Sequence, residues 1–357
     1  MTMKKSLPFE SIADETYRGI VTKFALALLV FLTANLAAWA VLKADPTINV
    51  GYSTINWKWN LLYNLEEPVE TLIVGDSTAL TGVVPDILSE TFGGESLNIA
   101  TIGNSLVIDD AWMIETYIDR YVPPKRVVMS HVYDIWRRDI DSNTLGQIPT
   151  RYVWPHLDAD YLSFHQRVNI VLGRYLPLYF NDRTVPDLVM KPWRALIFKD
   201  PWRALSTTGV GFQTAQNDGF VQRNETDPAV VLERLGAHKR FVSESQYHMS
   251  RANRTAFKSI VSLSAEYGFD LYVANGPLFE KLADDVDFRK YYAMLIQDLA
   301  MIAIDSDSVH VIADSPFTLP INWIENVDHA VLEGPELYTR WLADTIQRIE
   351  DSNGRSR

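Results

Sequence analysis

The alternation of short apolar runs with helical segments beyond residue 68 constrains the fold of this chain more than any other feature. The runs that predict strands are 69–74, 96–100, 126–132, 270–274 and 309–313. The segments whose apolar residues recur at helical spacing are 85–92, 109–121, 254–267, 288–304 and 333–350. Strands that alternate with helices are joined by right-handed crossovers. We therefore expect an α/β fold with a five-stranded parallel sheet.

Residues suited to a functional site follow shortly after the first three predicted strands. Ser77 follows the first strand, Gly103 the second and Asp134 the third. In a parallel sheet of this kind, ligands bind outside the carboxyl ends of the strands. The site is therefore expected at this edge of the sheet.

An uncharged apolar run of 19 residues, 24–42, precedes the α/β region. As a helix it would span about 28 Å, close to the hydrocarbon thickness of a membrane. The basic residues before it are Lys4, Lys5, Arg18 and Lys23. The positive-inside rule predicts a single-pass protein of the cytoplasmic (inner) membrane, with residues 1–23 in the cytoplasm and the globular domain in the periplasm or extracytoplasmic space. A cleaved signal peptide is the alternative, because Ala38-Trp39-Ala40 loosely fits a cleavage site.

Residues 43–68 are interpreted as a juxtamembrane linker. Trp57, Trp59 and Tyr63 lie in it. Such rings either form an aromatic belt at the membrane interface or pack against the globular domain, and both interpretations stay open.

The globular domain is expected at 69–350, followed by a polar tail at 351–357. An insertion rich in Trp, Tyr, Arg and Pro interrupts the alternation at about 135–246. It contains the pentapeptide Pro-Trp-Arg-Ala-Leu twice, at 192–196 and 201–205. The repeat predicts two short helices, or a patch that faces a membrane or a protein partner.

Composition excludes several classes of function. The net charge of -12 and the absence of a basic run argue against nucleic-acid binding. The absence of cysteine rules out disulfides, thiolate catalysis and cysteine-ligated metals. No nucleotide-binding or metalloprotease motif is present, so neither a cofactor nor a metal is expected.

A Gly75-Asp76-Ser77 turn joins the first predicted strand to the first predicted helix. A serine hydroxyl becomes a nucleophile when a base accepts its proton, and the resulting oxyanion needs N–H donors nearby. Gly75 lets the backbone bend, so that the following amides can point at a substrate oxygen. The tripeptide alone is a weak motif, because it also occurs as a solvated turn or a helix cap.

Three sequence blocks together make the motif stronger. They are 72–82, 98–103 and 329–334, and each lies at a predicted strand end or loop. In this order they resemble the SGNH (GDSL-type) hydrolase superfamily. More closely, the chain resembles its single-span, extracytoplasmic members that assist cell-envelope acylation, among them alginate O-acetylation proteins and the D-alanyl transfer protein of teichoic acids. The resemblance covers 69–350 without the insertion, and it implies a flavodoxin-like three-layer fold.

The resemblance also implies roles for individual residues. Ser77 would be the nucleophile and His329 the general base. The backbone amides of Ser77 and Gly103 would be the oxyanion donors. Asp76 and Asp134 would support the site.

The third member of the triad departs from the family pattern. The family has Asp three residues before the histidine, where this chain has Asn326. Asparagine can fix the imidazole tautomer, but it stabilises imidazolium less than a carboxylate does. Asp328 adjoins His329, and Glu325 lies four residues before it. Position favours Asn326 and charge favours Asp328, so both are candidates.

The segment after the third predicted strand departs from the family pattern as well. The family commonly has Asn immediately before an aspartate there as an additional oxyanion donor, whereas Tyr133 precedes Asp134 in this chain.

The expected function is that of a membrane-anchored, extracytoplasmic serine esterase or O-acyltransferase. It would act on an envelope glycan or a lipid-linked acceptor through an acyl ester on Ser77. The bilayer and a polytopic membrane protein that supplies the acyl group would be its partners. The alternative is an SGNH-like scaffold with weakened catalysis that serves as an accessory subunit of a membrane complex, an alternative motivated by Asn326 and Tyr133.

Overall fold

The computed structural model of the chain describes residues 8–44, 50–148, 153–176, 178, 218–312 and 315–354. Helix α1 (Pro8–Ala44) is 37 residues long. Its part Tyr17–Ala40 is long and apolar enough to cross a membrane, and 6% of that window is buried inside the protein. The rest of the described chain contains no second helix of this kind. The apolar run expected at 24–42 thus lies largely in one helix that presents its side chains outward.

Seven strands are described. They are β1 (Thr71–Gly75), β2 (Ser96–Asn98), β3 (Arg126–His131), β4 (Asp270–Asn275), β5 (Leu278–Phe279), β6 (Val309–Val311) and β7 (Thr318–Leu319). Five of them form one parallel sheet in the order β2-β1-β3-β4-β6. The predicted α/β fold with a five-stranded parallel sheet is confirmed. The short strands β5 and β7 form a separate parallel pair that the sequence pattern did not predict.

The strand order of the large sheet locates the functional edge. Numbered among themselves, its strands run 2-1-3-4-5, the order of flavodoxin-like doubly wound sheets. The order reverses between β1 and β3, and the loops that follow these two strands diverge there. A crevice for a ligand forms at this point of such sheets.

Helices cover both faces of the sheet. Besides α1 they are α2 (Val50–Tyr63), α3 (Ser77–Gly82), α4 (Pro85–Phe92), α5 (Leu106–Ile118), α6 (Ser142–Leu145), α7 (Phe164–Tyr175), α8 (Pro228–Glu244), α9 (Arg251–Tyr267), α10 (Glu280–Ala283), α11 (Val286–Ala303) and α12 (Gly334–Gly354). Most predicted helices are present with ends shifted by a few residues. The last one continues to Gly354, into the expected tail.

Alternate strand residues point into two cores on opposite faces of the sheet. On β1, Leu72 and Val74 belong to one core, together with residues of α2, α5, α9 and α11. Ile73 belongs to the other core, together with residues of α3, α4 and α12. Because both faces are buried, the strands have near-continuous apolar sequences instead of alternating ones.

Helix α2 lies within the stretch expected to be a linker, and it packs into the first core. Ile55, Trp59 and Leu62 are fully buried. The Trp59 indole Nε1 donates to Asp109 Oδ1 at 2.9 Å. The Tyr63 ring lies at the surface under the Arg120 guanidinium. Trp59 therefore packs inside the globular domain and does not lie at a membrane interface.

The described parts of the expected insertion also contribute to the first core. Leu145, Ile148, Leu162 and Ile170 are buried there. The repeats at 192–196 and 201–205 lie outside the described residues.

Candidate active site

The turn that carries Ser77 is shaped by the two residues before it. Gly75 has a φ of +142°, and a Cβ atom there would lie 2.0 Å from the Ser130 carbonyl oxygen of the neighbouring strand. Only glycine fits this position. Asp76 then caps helix α3, because its Oδ1 accepts from the Thr78 amide at 2.8 Å and from the Thr78 hydroxyl at 2.7 Å. Ser77 is the first residue of that helix and stays partly exposed.

Asp76 is itself part of a buried network of polar groups. Its Oδ2 accepts from the Val132 amide at 2.9 Å and lies 3.4 Å from Nδ1 of His131. The other imidazole nitrogen of His131, Nε2, donates to Asp110 Oδ2 at 2.5 Å. Burial opposes a charge on Asp76, but the nearby His131 imidazole and hydrogen bonds from Thr78 and Val132 hold its pKa well below the usual range. Asp76 therefore supports the turn as a carboxylate.

His131 carries the compensating charge of this network. Burial alone would lower the pKa of its imidazole, but Asp110 and then Asp76 raise it to about 10. His131 is the last residue of β3 and belongs to an apolar strand sequence. A histidine in such a strand is the sequence feature that could have indicated it.

The described structure brings Ser77 and His329 together from opposite ends of the domain. The His329 Nε2 atom lies 2.8 Å from Ser77 Oγ. The Nδ1 atom lies 2.6 Å from Asp328 Oδ1 and 3.3 Å from Asn326 Oδ1. A hydroxyl, an imidazole and a carboxylate thus form a continuous hydrogen-bonded chain.

The loop before His329 explains why the neighbouring carboxylate reaches it. Asn326 Oδ1 accepts from the Val327 amide at 2.6 Å and from the Asp328 amide at 3.1 Å. The Glu325 amide donates to the His329 carbonyl at 2.9 Å, which closes the turn. Asn326 therefore mainly shapes the turn, and Asp328 is the closer partner of the imidazole.

The remaining acid of this loop points elsewhere. Glu325 forms an ion pair with Arg223.

Burial tends to raise the pKa of Asp328, but the charge and hydrogen bond of His329 lower it below the usual value. Asp328 is thus the ionised group suited to stabilise imidazolium.

The Gly103 loop lies beside the turn that carries Ser77. The Thr101 amide donates to the Gly75 carbonyl at 2.9 Å, which ties the loop after β2 to the turn. Gly103 then begins a short 3-10 helix, and Leu106 after it has a φ of +62°. A Cβ atom on Gly103 would lie 2.9 Å from Nη1 of Arg138. The absence of a side chain lets the guanidinium pack against the loop.

Asp134 and Tyr133 do not contact the triad through hydrogen bonds. Both Asp134 oxygens accept from Nη2 of Arg138, at 3.1 and 2.8 Å. The Tyr133 hydroxyl lies 2.6 Å from Nδ1 of His238 on helix α8. Its ring is fully buried against Phe288 and other aromatic side chains. The Tyr133 hydroxyl therefore hydrogen-bonds to His238, and Asp134 forms an ion pair with Arg138.

Helix α2 is connected through Lys58 to helix α3, which begins at Ser77. The buried Lys58 ammonium donates to the Asn98 carbonyl at 2.6 Å and to the Gly219 carbonyl. The Asn98 side-chain amide in turn donates to the carbonyls of Ala79 and Val83, at 2.9 and 3.0 Å. Burial lowers the Lys58 pKa well below its usual value. Sequence reasoning missed this lysine, because only its three-dimensional neighbours distinguish it.

A comparison with models of protein families and with curated proteins found no match to the chain. The resemblance to SGNH hydrolases therefore rests on the three sequence blocks themselves.

Proposed function

We propose that this protein is a membrane-anchored serine esterase or O-acyltransferase of the SGNH type, built on the three-layer fold of that class. The observation that carries the proposal is the chain of two short contacts, 2.8 Å from Ser77 Oγ to His329 Nε2 and 2.6 Å from His329 Nδ1 to Asp328 Oδ1. A general base must lie within hydrogen-bond reach of the proton it abstracts, and His329 does.

The first half-reaction forms an acyl ester on Ser77. Ser77 Oγ attacks the ester carbonyl carbon while its proton passes to His329 Nε2, and the carbonyl π electrons move to the oxygen. The intermediate collapses as the bond to the leaving alkoxide breaks, and His329 returns the proton to that alkoxide. Asp328 accepts the hydrogen bond from Nδ1 throughout and stabilises the imidazolium.

The second half-reaction releases the acyl group. His329 removes a proton from water or from an acceptor hydroxyl, whose oxygen attacks the Ser77 ester, and the proton then returns to Ser77 Oγ. If water is the acceptor of the acyl group, the protein is an esterase. If a sugar hydroxyl is the acceptor, the protein is an O-acyltransferase. The backbone amides of Ser77 and Gly103 are the proposed oxyanion donors.

The location and partners are proposed from the uncharged apolar run 24–42 of helix α1 and the basic residues that precede this run. A helix able to cross the membrane at Tyr17–Ala40 would hold the site close to the bilayer. With the basic residues Arg18 and Lys23 on the cytoplasmic side, the domain would face the periplasm. Envelope glycans or lipid-linked acceptors are then the substrates within reach, and a polytopic membrane protein would supply the acyl group.

The test is covalent labelling of Ser77. The full-length protein in mild detergent is treated with a fluorophosphonate probe beside Ser77→Ala and Ser262→Ala variants, since Ser262 is an exposed serine of helix α9. We expect labelling of the wild type and of Ser262→Ala, and its loss in Ser77→Ala. Equal labelling of wild type and Ser77→Ala, or none in either, would contradict the proposal and favour the accessory scaffold.

A further inference from the structure

Arg138 presents a guanidinium to the loop that begins at Gly103. Its Nη1 is the nearest atom to the position that a Cβ on Gly103 would take, at 2.9 Å. The same Nη1 lies 3.5 Å from Asn104 Oδ1, a long and weak contact. Within the part of the chain that the structure describes, Nη1 has no other hydrogen-bond partner, so its N–H groups are available to an incoming oxygen.

The opposite side of the guanidinium is fixed. Nη2 donates to both oxygens of Asp134, at 3.1 and 2.8 Å. Asp134 itself is largely buried beside β3, so it offers a rigid support. A guanidinium held from one side and open on the other is preorganised, which is the property that transition-state stabilisation requires.

The backbone under Arg138 is tied to the Gly103 loop by one buried side chain. Asn253 on helix α9 donates from Nδ2 to the carbonyls of Ile135 and Arg138, at 2.8 and 3.2 Å. Its Oδ1 accepts from the Val107 amide at 3.3 Å, just beyond the Gly103 turn. The loop after β3 and the loop after β2 therefore keep one relative position.

Arg138 also lies in the field of the site's carboxylates. Burial tends to lower the pKa of its guanidinium, but Asp134, and with it Asp76 and Asp328, raise it. Asp76 precedes Ser77 and Asp328 pairs with His329, so the charge of Arg138 interacts with the carboxylates on both sides of the site. Its side chain is 37% exposed, which leaves it accessible to substrate.

We infer that Arg138 is a catalytic residue whose Nη1 N–H groups donate to the oxyanion formed when Ser77 attacks the acyl carbonyl. This inference rests on the proposed function. The oxyanion carries the electron pair displaced from the carbonyl π bond, and Arg138 stabilises it without giving up a proton. The charge disappears when the carbonyl re-forms, so the stabilisation acts on the transition state more than on the bound ester.

The experiment compares Arg138→Met with the matched control Arg137→Met in the full-length protein. Arg137 is the adjacent arginine, and its guanidinium lies over the Phe241 ring, whereas the atoms nearest the Cβ position of Gly103 belong to Arg138 and Ile135. Two rates are measured, the fluorophosphonate labelling of Ser77 and the hydrolysis of p-nitrophenyl acetate. We expect Arg138→Met to lower kcat and the labelling rate by about 10²-fold, the usual loss for one oxyanion donor, with little change in KM. Arg137→Met should stay close to the wild type.

A second variant separates chemistry from folding. Arg138→Ala is assayed with and without added methylguanidinium, which can occupy the vacated space. Recovery of the labelling rate, together with a partial rate in Arg138→Lys, supports the oxyanion role.

Three outcomes overturn the inference. One is wild-type labelling in Arg138→Met. Another is an unchanged labelling rate and kcat with a raised KM for p-nitrophenyl acetate, which would make Arg138 an ester-binding residue. The last is loss of the thermal unfolding transition in both Arg138→Met and Arg138→Ala, which would make its role structural. Failure of the proposed function is distinct, because it appears as unlabelled Ser77 in the wild type.

Discussion

Asp328 and His329 are neighbours in the chain, and the Asp328 carboxylate still folds back to within 2.6 Å of the His329 Nδ1 atom. Adjacent side chains usually point apart. Here the turn built on Asn326 brings them together, since its side chain binds the amides of Val327 and Asp328. Asn326 therefore shapes the loop, and Asp328 carries the negative charge.

This division predicts different effects for two substitutions. Asp328→Asn keeps the shape but removes the charge that stabilises imidazolium, so kcat for ester hydrolysis should fall on the order of 10⁴-fold. Asn326→Ala should lower it by less than about tenfold and cost about 1 kcal/mol of unfolding free energy through the lost turn bonds. Steady-state kinetics and urea unfolding of both variants measure this. A larger kinetic loss in Asn326→Ala than in Asp328→Asn would be the contrary result.

The sheet was predictable from local sequence, because each strand is a short apolar run between helical segments. The pairing of Ser77 with His329 was expected from the resemblance to SGNH hydrolases, and in the fold Ser77 begins helix α3 while His329 lies in the loop before helix α12. The choice of acid was not predictable, because it depends on backbone hydrogen bonds within the loop of Asn326. Position in the sequence favoured Asn326, and the folded turn favours Asp328.

Long-range partners account for the rest of what the sequence left open. His131 becomes part of the site only because Asp76 and Asp110 close around it in the folded domain. Trp59 belongs to a stretch whose aromatic residues fit a membrane interface and a protein core equally well. Its burial is decided by contact with Asp109, a residue 50 positions away.

Because the His131 imidazole is charged in the folded protein, the free energy of unfolding should decrease at alkaline pH. Its pKa is about 10 in the folded state and 6.5 as a free side chain. Since the folded value is the higher one, folding is favoured while the imidazole is protonated. The contribution is complete below about pH 6.5 and is lost as pH rises towards 10, at up to about 1.4 kcal/mol per pH unit.

Urea unfolding between pH 8 and 10 checks this dependence. Asp109, whose pKa burial raises to about 7, has largely finished titrating by then. The unfolding free energy of the wild type should fall relative to that of His131→Gln across this window. His310→Gln, at the less buried histidine of β6, is the control and should parallel the wild type. Parallel curves for wild type and His131→Gln would exclude a stabilising imidazolium at this position.

We expect the hydrogen bonds of Lys58 to couple the stability of helix α2 to the position of Ser77. Lys58→Met keeps the bulk but leaves the Asn98 and Gly219 carbonyls without their donor, which should cost about 1–3 kcal/mol of unfolding free energy. Because Asn98 also holds helix α3, the rate of Ser77 labelling should fall too. Lys125→Met is the matched control, since its exposed ion pair with Glu70 should be worth less than about 1 kcal/mol. Equal unfolding free energies for the two variants would argue against this role of Lys58.

We expect alanine substitutions at two glycines, Gly75 and Gly236, to have opposite effects on the free energy of unfolding. In Gly75→Ala the new Cβ would lie 2.0 Å from the Ser130 carbonyl oxygen at a φ of +142°. Strands β1 and β3 would have to separate at this point, so the variant should lose at least about 3 kcal/mol and its Ser77 labelling. Gly236 lies inside helix α8 with no atom within 4 Å of such a Cβ. Gly236→Ala should therefore be neutral, or stabilise the protein by up to about 1 kcal/mol, because alanine is the better helix residue. Urea unfolding and probe labelling measured side by side check both variants, and a Gly75→Ala protein as stable as Gly236→Ala would show that the turn tolerates a side chain.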